Sequence, residues 1–311
     1  METEVTVMAA VASWVHLLLA LSLAPLLPGI INRTKAFFAG RKGQPLLQAY
    51  YDIAKLLRKG AVYSRTTTWV FRAGPVVGLA AVMAAILIVP LGNIAGVLAF
   101  RGDLILLAYL LGLTRFVTIL AALDTGSAFE GMGASREAQF SLLAEPALLL
   151  GLAALAAGTE SFSLSGIMTG LWSGLSPAVG PAVVMVAATV LVVLLTENAR
   201  IPVDDPNTHL ELTMIHEVMV LDHGGVDLAF IQYGAALKLW LFASVLTGIW
   251  LPLRTGRPLL DLGGGVIGIS AVAVLVGIIE STMARLRLVR VPQMLVVALV
   301  FSCVALLWVL R

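Results

Sequence analysis

The chain has 311 residues, 59% of them hydrophobic and 12% charged, with a mean hydropathy of +0.99 and a formal net charge of +2. Soluble domains carry about 25% charged residues, so this composition excludes a soluble globular protein and leaves an all-α polytopic membrane protein. The one cysteine, Cys303, lies in an apolar run; it cannot make an internal disulfide, a cysteine zinc site or an iron–sulfur cluster, and redox chemistry would belong to a partner or a diffusible ligand.

The N-terminus, METEV, is acidic rather than basic and leads into an apolar run long enough to span, so no cleavable signal peptide is expected. Length and apolarity predict eight transmembrane helices, at 8–31, 74–92, 103–123, 138–157, 178–197, 228–251, 263–281 and 292–310. They form a single membrane domain, 1–311, with long loops at 32–73 and 198–227. The first of these loops carries Arg33, Lys35, Arg41, Lys42, Lys55, Arg58, Lys59, Arg65 and Arg72. The last loop carries Arg285, Arg287 and Arg290, and Arg136 and Arg200 fall on the same side if the spans alternate. The positive-inside rule makes that side cytoplasmic and both termini external. Within the first loop, 44–59 reads as an amphipathic helix at the cytoplasmic interface. Leu46, Leu47, Tyr50, Ile53, Ala54 and Leu57 form one face, and Gln48, Asp52, Lys55 and Lys59 the other.

Ionisable groups inside spans are costly and point to function. Arg115 and Lys238 fall in spans, Glu145 in the fourth and Glu280 near the cytoplasmic end of the seventh. A lone charge at the bilayer centre costs about 2.5–3.5 kcal/mol on insertion scales. These groups read as a proton or ion path, or as register-fixing pairs such as Glu145 with Arg115. Glu280 could also snorkel. Glu137 and Glu145 are eight residues apart. On a helix that is about 12 Å of rise and roughly 80° of rotation, so they could line one cavity at two depths. Glu137 follows GASR and reads first as a favourable charge at a helix N-terminus.

The stretch from Glu197 to Asp227 holds seven acids and three of the four histidines. His209 and His216 are seven apart, about 10 Å along a helix, too far for one metal ion. HExxH is absent, and hydrogen bonding within the loop or to a partner fits these histidines better than metal ligation. They could still handle protons. Pro202 and Pro206 keep the stretch non-helical.

Glu197-Asn198-Ala199-Arg200-Ile201-Pro202-Val203-Asp204 resembles the E-x-N-R-x-P-F-D signature of the complex I subunit 1 family, with the residues before Arg200 slightly rearranged. Arg41 to Lys59, the stretch GASREAQFSLLAEP ending at Pro146, and Arg287 to Gln293 resemble further segments of that family. Where the respiratory members continue F-D-L-P-E, this chain reads VDDPNTHLELTMIHEVMVLD, which is similar to the formate hydrogenlyase and hydrogenase-4 membrane subunits.

The resemblance implies a membrane anchor and proton-coupling subunit of a membrane-bound nickel–iron hydrogenase complex in a bacterial or archaeal plasma membrane. Expected partners are the hydrogenase large and small subunits, an iron–sulfur subunit and antiporter-like membrane subunits. The nickel–iron centre and iron–sulfur clusters would sit in those partners, with no catalytic residue or metal in this chain. The resemblance carries Glu145, Glu197, Asp204 and Glu211 over as acids of the glutamate-lined channel. Arg200 matches the signature arginine, and His209, His216 and Glu217 match the hydrogenase branch. Together with Arg115, Lys238 and Glu280 the acids make the expected proton-coupling set; Arg200, Asp205, His209, His216 and Glu217 make the expected docking loop. The alternative is the quinone-binding subunit of an NADH- or ferredoxin-dependent dehydrogenase.

Overall fold

The computed structural model describes residues 2–173, 179–204, 214–251 and 255–311. Asp205, His209 and Glu211 lie outside these residues. Eleven α-helices occur among the described residues, and no named strand. They are α1 Glu2–Leu23, α2 Leu26–Phe38, α3 Gln48–Leu57, α4 Trp69–Ile88, α5 Asp103–Asp124, α6 Ala128–Thr159, α7 Leu164–Ser173, α8 Gly180–Glu197, α9 Gly225–Trp250, α10 Pro258–Thr282 and α11 Val291–Val309. Seven of these helices, the last counted with the short 3-10 turn before it, are long and apolar enough to cross a membrane. The pair α1 and α2, bent by 54°, passes the same test together and makes an eighth if it is counted as one span. The chain is a multi-pass membrane protein.

The first predicted span, 8–31, is not one straight helix. Pro25 has no backbone N–H and sits at φ −66° as the residue before α2; it ends the hydrogen-bond ladder of α1, and the chain turns there before continuing as α2. The fourth predicted span began at residue 138, but α6 starts at Ala128 and runs 32 residues, about 48 Å at 1.5 Å per residue. Its first turns, AFEGMGASREAQF, are too polar to register as a span. They extend a membrane helix beyond a hydrocarbon layer about 30 Å thick. Glu137 therefore does not open a helix. It lies more than two turns inside one, and it is 6% exposed.

Two short helices flank the bundle. At the end opposite the Lys- and Arg-rich loops, Asp103 accepts the Leu164 N–H and the Ser163 hydroxyl, each at 2.7 Å. This satisfies donors at the start of α7, an element that hydropathy did not predict. On the basic face, α3 is shorter than the expected 44–59, and none of its residues is fully buried. The Tyr50 hydroxyl donates to the Ser22 carbonyl at 2.5 Å, tying α3 to the end of α1. Gln48 and Asp52, joined at 2.9 Å, turn toward a cavity inside the protein. They belong to the face expected to be the polar one of an interfacial helix.

The core runs along α9, whose Trp240 and Phe242 are fully buried among α4, α8 and α10. α6 packs on α8 and α11, and α4 on α5. At the basic face α6 also meets the segment 215–219. Gly133 permits this approach: a Cβ there would run into the Val218 side chain and come within 2.9 Å of the Ile215 carbonyl.

Candidate functional site

Five charged side chains from four helices converge where the bundle should be driest. α5 supplies Arg115, α6 Glu137 and Glu145, α8 its last residue Glu197, and α9 Lys238. Arg115 Nε donates to Glu137 Oε1 at 3.2 Å, Nη1 contacts Glu145 Oε1, and Nη2 contacts Glu197 Oε1. Lys238 Nζ lies 2.8 Å from Glu197 Oε2, and His216 Nε2 lies 3.4 Å from Glu137 Oε2. A continuous path of polar contacts therefore runs His216–Glu137–Arg115–Glu197–Lys238, with Glu145 branching from Arg115.

The local physics explains why the groups occur together. A carboxylate at a helix C-terminus opposes the helix dipole, so Glu197 at the end of α8 needs the two cations it touches. Three carboxylates against Arg115 and Lys238 leave one excess negative charge; a protonated His216 would balance it. Buried ion pairs of this kind fix geometry more than they stabilise, because desolvation offsets much of the attraction. Glu145 is distinct. Its side chain is 44% exposed, against 8% for Glu137 and 5% for Glu197. It sits about 21 Å from the far end of α6 by the helical rise, within membrane depth. A cavity of about 30 Å³ touches Arg115, Glu145 and Glu197 among apolar walls, space for about one water molecule.

A larger cavity of about 590 Å³ opens beside this chain of charges. Its apolar walls come from α2, α4 and α9, through Pro28, Pro75, Leu79, Val82, Leu228 and Ile231. Its polar walls include Glu197, Arg200, His216, Glu217, His223 and Lys238. Asn198 Oδ1, Arg200 Nε, His216 Nδ1 and His223 Nδ1 are buried here without hydrogen-bond partners. Buried polar atoms are ordinarily satisfied, so this wall has the character of a surface that meets water or a polar ligand.

The remaining expected residues lie elsewhere. Glu280 is 5% exposed and pairs with Lys35 Nζ at 2.7 Å and, more loosely, with Arg200 Nη1 at 3.6 Å; it is held inside the protein and does not snorkel. Asp204 is 1% exposed. It accepts Arg285 Nη2 at 2.8 Å and the backbone N–H groups of Ile215 and His216 at 3.0 and 3.2 Å. Those bonds hold His216 against Glu137. Arg136 Nη1 donates to the Met214 carbonyl at 2.8 Å and pins the same segment to α6. Among the described residues no three His, Cys, Asp or Glu side chains are grouped as a metal ion would require.

Arg115, Glu145, Glu197 and Lys238, expected from the sequence as one set, are brought together by the fold. Glu137 stands outside that expected set. The eight-residue spacing from Glu145 was the available signal; the wrong helix start hid its use. Lys35 as the partner of Glu280 carried no sequence signal.

The family described as NADH dehydrogenase matches residues 11–310. Formate hydrogenlyase subunit 4 of Escherichia coli (strain K12) is 30% identical over 285 residues, which are 90% of this chain and 92% of that protein. Hydrogenase-4 component C of the same organism is 32% identical over 295 residues, 93% of this chain and 91% of that protein. Among solved structures, a chain of the membrane-bound sulfane sulfur reductase, an archaeal respiratory membrane complex, superposes with a TM-score of 0.79. It is 22% identical, and the match covers 96% of this chain and 99% of that one.

Proposed function

The chain belongs to the NADH dehydrogenase family, and on that premise we propose that it is the membrane anchor and proton-coupling subunit of a membrane-bound nickel–iron hydrogenase complex. The two curated relatives, a formate hydrogenlyase subunit and a hydrogenase-4 component, support the hydrogenase assignment. The observation that carries the coupling role is the path of contacts from His216 to Glu145 and Lys238. The basic face is cytoplasmic and both termini are external, in a bacterial or archaeal plasma membrane. The hydrogenase large and small subunits and an iron–sulfur subunit dock on that face and hold the nickel–iron centre and the clusters. Arg200 and Glu217 border the cavity beneath them, and Asp204 positions the segment that carries His216.

Coupling follows from charge balance. A change of charge in the docked redox module alters the proton affinity of His216 at the end of the path. Protonation of His216 draws Glu137 away from Arg115. The guanidinium stays charged throughout, since arginine does not deprotonate in proteins, and it redistributes among its carboxylates. Glu145 is the group placed to take up and release a proton, while Glu197 and Lys238, 2.8 Å apart, hold the other side of the guanidinium. Glu145, the most exposed of the three carboxylates, hands its proton sideways to an antiporter-like membrane subunit.

The test is the purified complex in lipid vesicles. It should contain nickel and evolve hydrogen without added quinone, and Glu145→Gln should assemble yet lose proton translocation. Assembly with wild-type translocation in Glu145→Gln would remove Glu145 from the path. A second reading has one observation in its favour, the cavity of about 590 Å³ with orphaned Arg200 Nε and His216 Nδ1. An apolar-walled site with a few convergent polar groups suits a quinone head, whose carbonyl oxygens those nitrogens would meet. Turnover that depends on quinone, with photoreactive quinone labelling of this chain, would favour a dehydrogenase instead.

A further inference from the structure

A second group of titratable side chains stands apart from the Arg115 path, where the segment before α9 meets the loop between α3 and α4. His223 is 6% exposed, and its ring lies flat on Phe71 with centroids 3.9 Å apart and planes 8° apart. Tyr63 packs edge-on against Phe71 at 6.3 Å, and the Arg72 guanidinium sits 4.3 Å over the Tyr63 ring. Gly225, at φ +57°, makes this arrangement possible, because a Cβ there would come within 2.6 Å of the Gly60 carbonyl. The loop backbone can thus lie directly on the start of α9. There the Tyr63 hydroxyl faces Asp227.

Both ends of this group are open to proton chemistry. His223 borders the large cavity, and its buried Nδ1 has no hydrogen-bond partner. Asp227 is 6% exposed, and its Oδ2 is likewise unpartnered. Two orphaned polar atoms in neighbouring buried side chains are unusual in a native fold and ask for water or a function. The groups facing His223 are Asp222 and Asp227 on its own segment, with Tyr63 and Arg72 reaching it through Phe71. From α6, Glu130 accepts the Asp222 N–H at 3.1 Å. Burial pushes the His223 imidazole below its usual value, against the pull of Asp227 and Asp222. The ring is therefore neutral near pH 7 and carries a proton only in passing. Burial and the nearby Asp227 carboxylate push the Tyr63 hydroxyl up, so it stays protonated.

We infer that Tyr63, Asp227 and His223 form a proton intake from the solvent of the basic face into the large cavity. Asp227 takes a proton from water beside Tyr63 and passes it, through water between the two side chains, to one ring nitrogen of His223. The other ring nitrogen releases a proton to water in the cavity, so one proton moves and the imidazole returns to neutral. His216 borders the same cavity and receives it. This route rests on the proton-coupling function proposed above and supplies its source of protons.

The experiment uses the whole complex in lipid vesicles, with proton translocation recorded per hydrogen turned over and Glu145→Gln as reference. His223→Gln should lower translocation on the order of a hundredfold, the usual scale for losing a positioned acid–base group. Added imidazole should restore His223→Ala, with a pH profile that follows the added base; a purely structural histidine would give no such profile. Wild-type translocation in His223→Gln beside loss in Glu145→Gln would overturn the intake route and leave the coupling function standing. Wild-type translocation in both variants would overturn the intake route and remove Glu145 from the path. If His223→Gln does not assemble, Asp227→Asn and Tyr63→Phe carry the test, and unchanged translocation in both overturns the route.

Discussion

Arg115 binds three carboxylates from two helices, and it is 7% exposed. Removing it would leave Glu137, Glu145 and Glu197 with only Lys238 and His216 against them. Breaking a buried ion pair by deleting one partner costs about 3–5 kcal/mol, so Arg115→Met should lower the thermal midpoint of the complex sharply or prevent its assembly. Glu145→Gln should behave in the opposite way. It leaves two carboxylates against Arg115 and Lys238, a balanced set, and its half-exposed side chain loses one contact. Comparing the two midpoints by thermal unfolding of the purified complex checks this ordering; equal losses would mean that the charges act independently. The composition of this cluster was legible in part, because charged residues inside apolar runs are conspicuous. Its pairing was not. Helical spacing gives angular position on one helix and says nothing of which neighbour faces it.

α6 sets the geometry of the site through its length and its close approach to the segment 215–219. Ile215 is buried against it, and His216 reaches Glu137 only because Gly133 lets the two backbones close. Gly133→Val should push the segment outward, separate His216 from Glu137 and loosen the hydrogenase subunits proposed to dock there, while the membrane bundle persists. The measurable result is loss of the soluble subunits from the purified complex at ionic strengths that the wild type tolerates. Retention of those subunits with wild-type activity would show that the segment adapts. Hydropathy located the apolar body of every span but misjudged the ends of α6 and the continuity of α1 with α2. Apolarity reports burial in lipid; it does not report a polar helical extension or a bend at Pro25. The eight-residue interval from Glu137 to Glu145 was visible in the sequence, yet its meaning depended on where the helix began.

For the molecule as a whole, the exposed face around Glu145 needs explanation. Leu142 is 74% exposed and Leu149 is 38% exposed, three residues before and four after Glu145 on the same face of α6. An ionisable carboxylate on an otherwise apolar surface at membrane depth is costly against lipid, so a second membrane subunit should cover it. A photo-crosslinking residue at Leu142 should capture an antiporter-like subunit in the assembled complex. Capture of lipid alone would place that subunit elsewhere. The sequence by itself determined the class of the protein, the position of its spans, its basic face and the identity of most of its intramembrane charges. These follow from solvation, which each residue carries as a local property. Only the tertiary structure decided that Glu137 joins Arg115, that Glu280 is held by Lys35, and that Gln48, Asp52 and His223 turn toward one cavity. Those outcomes depend on how helices distant in sequence pack, and packing sets which charge neutralises which.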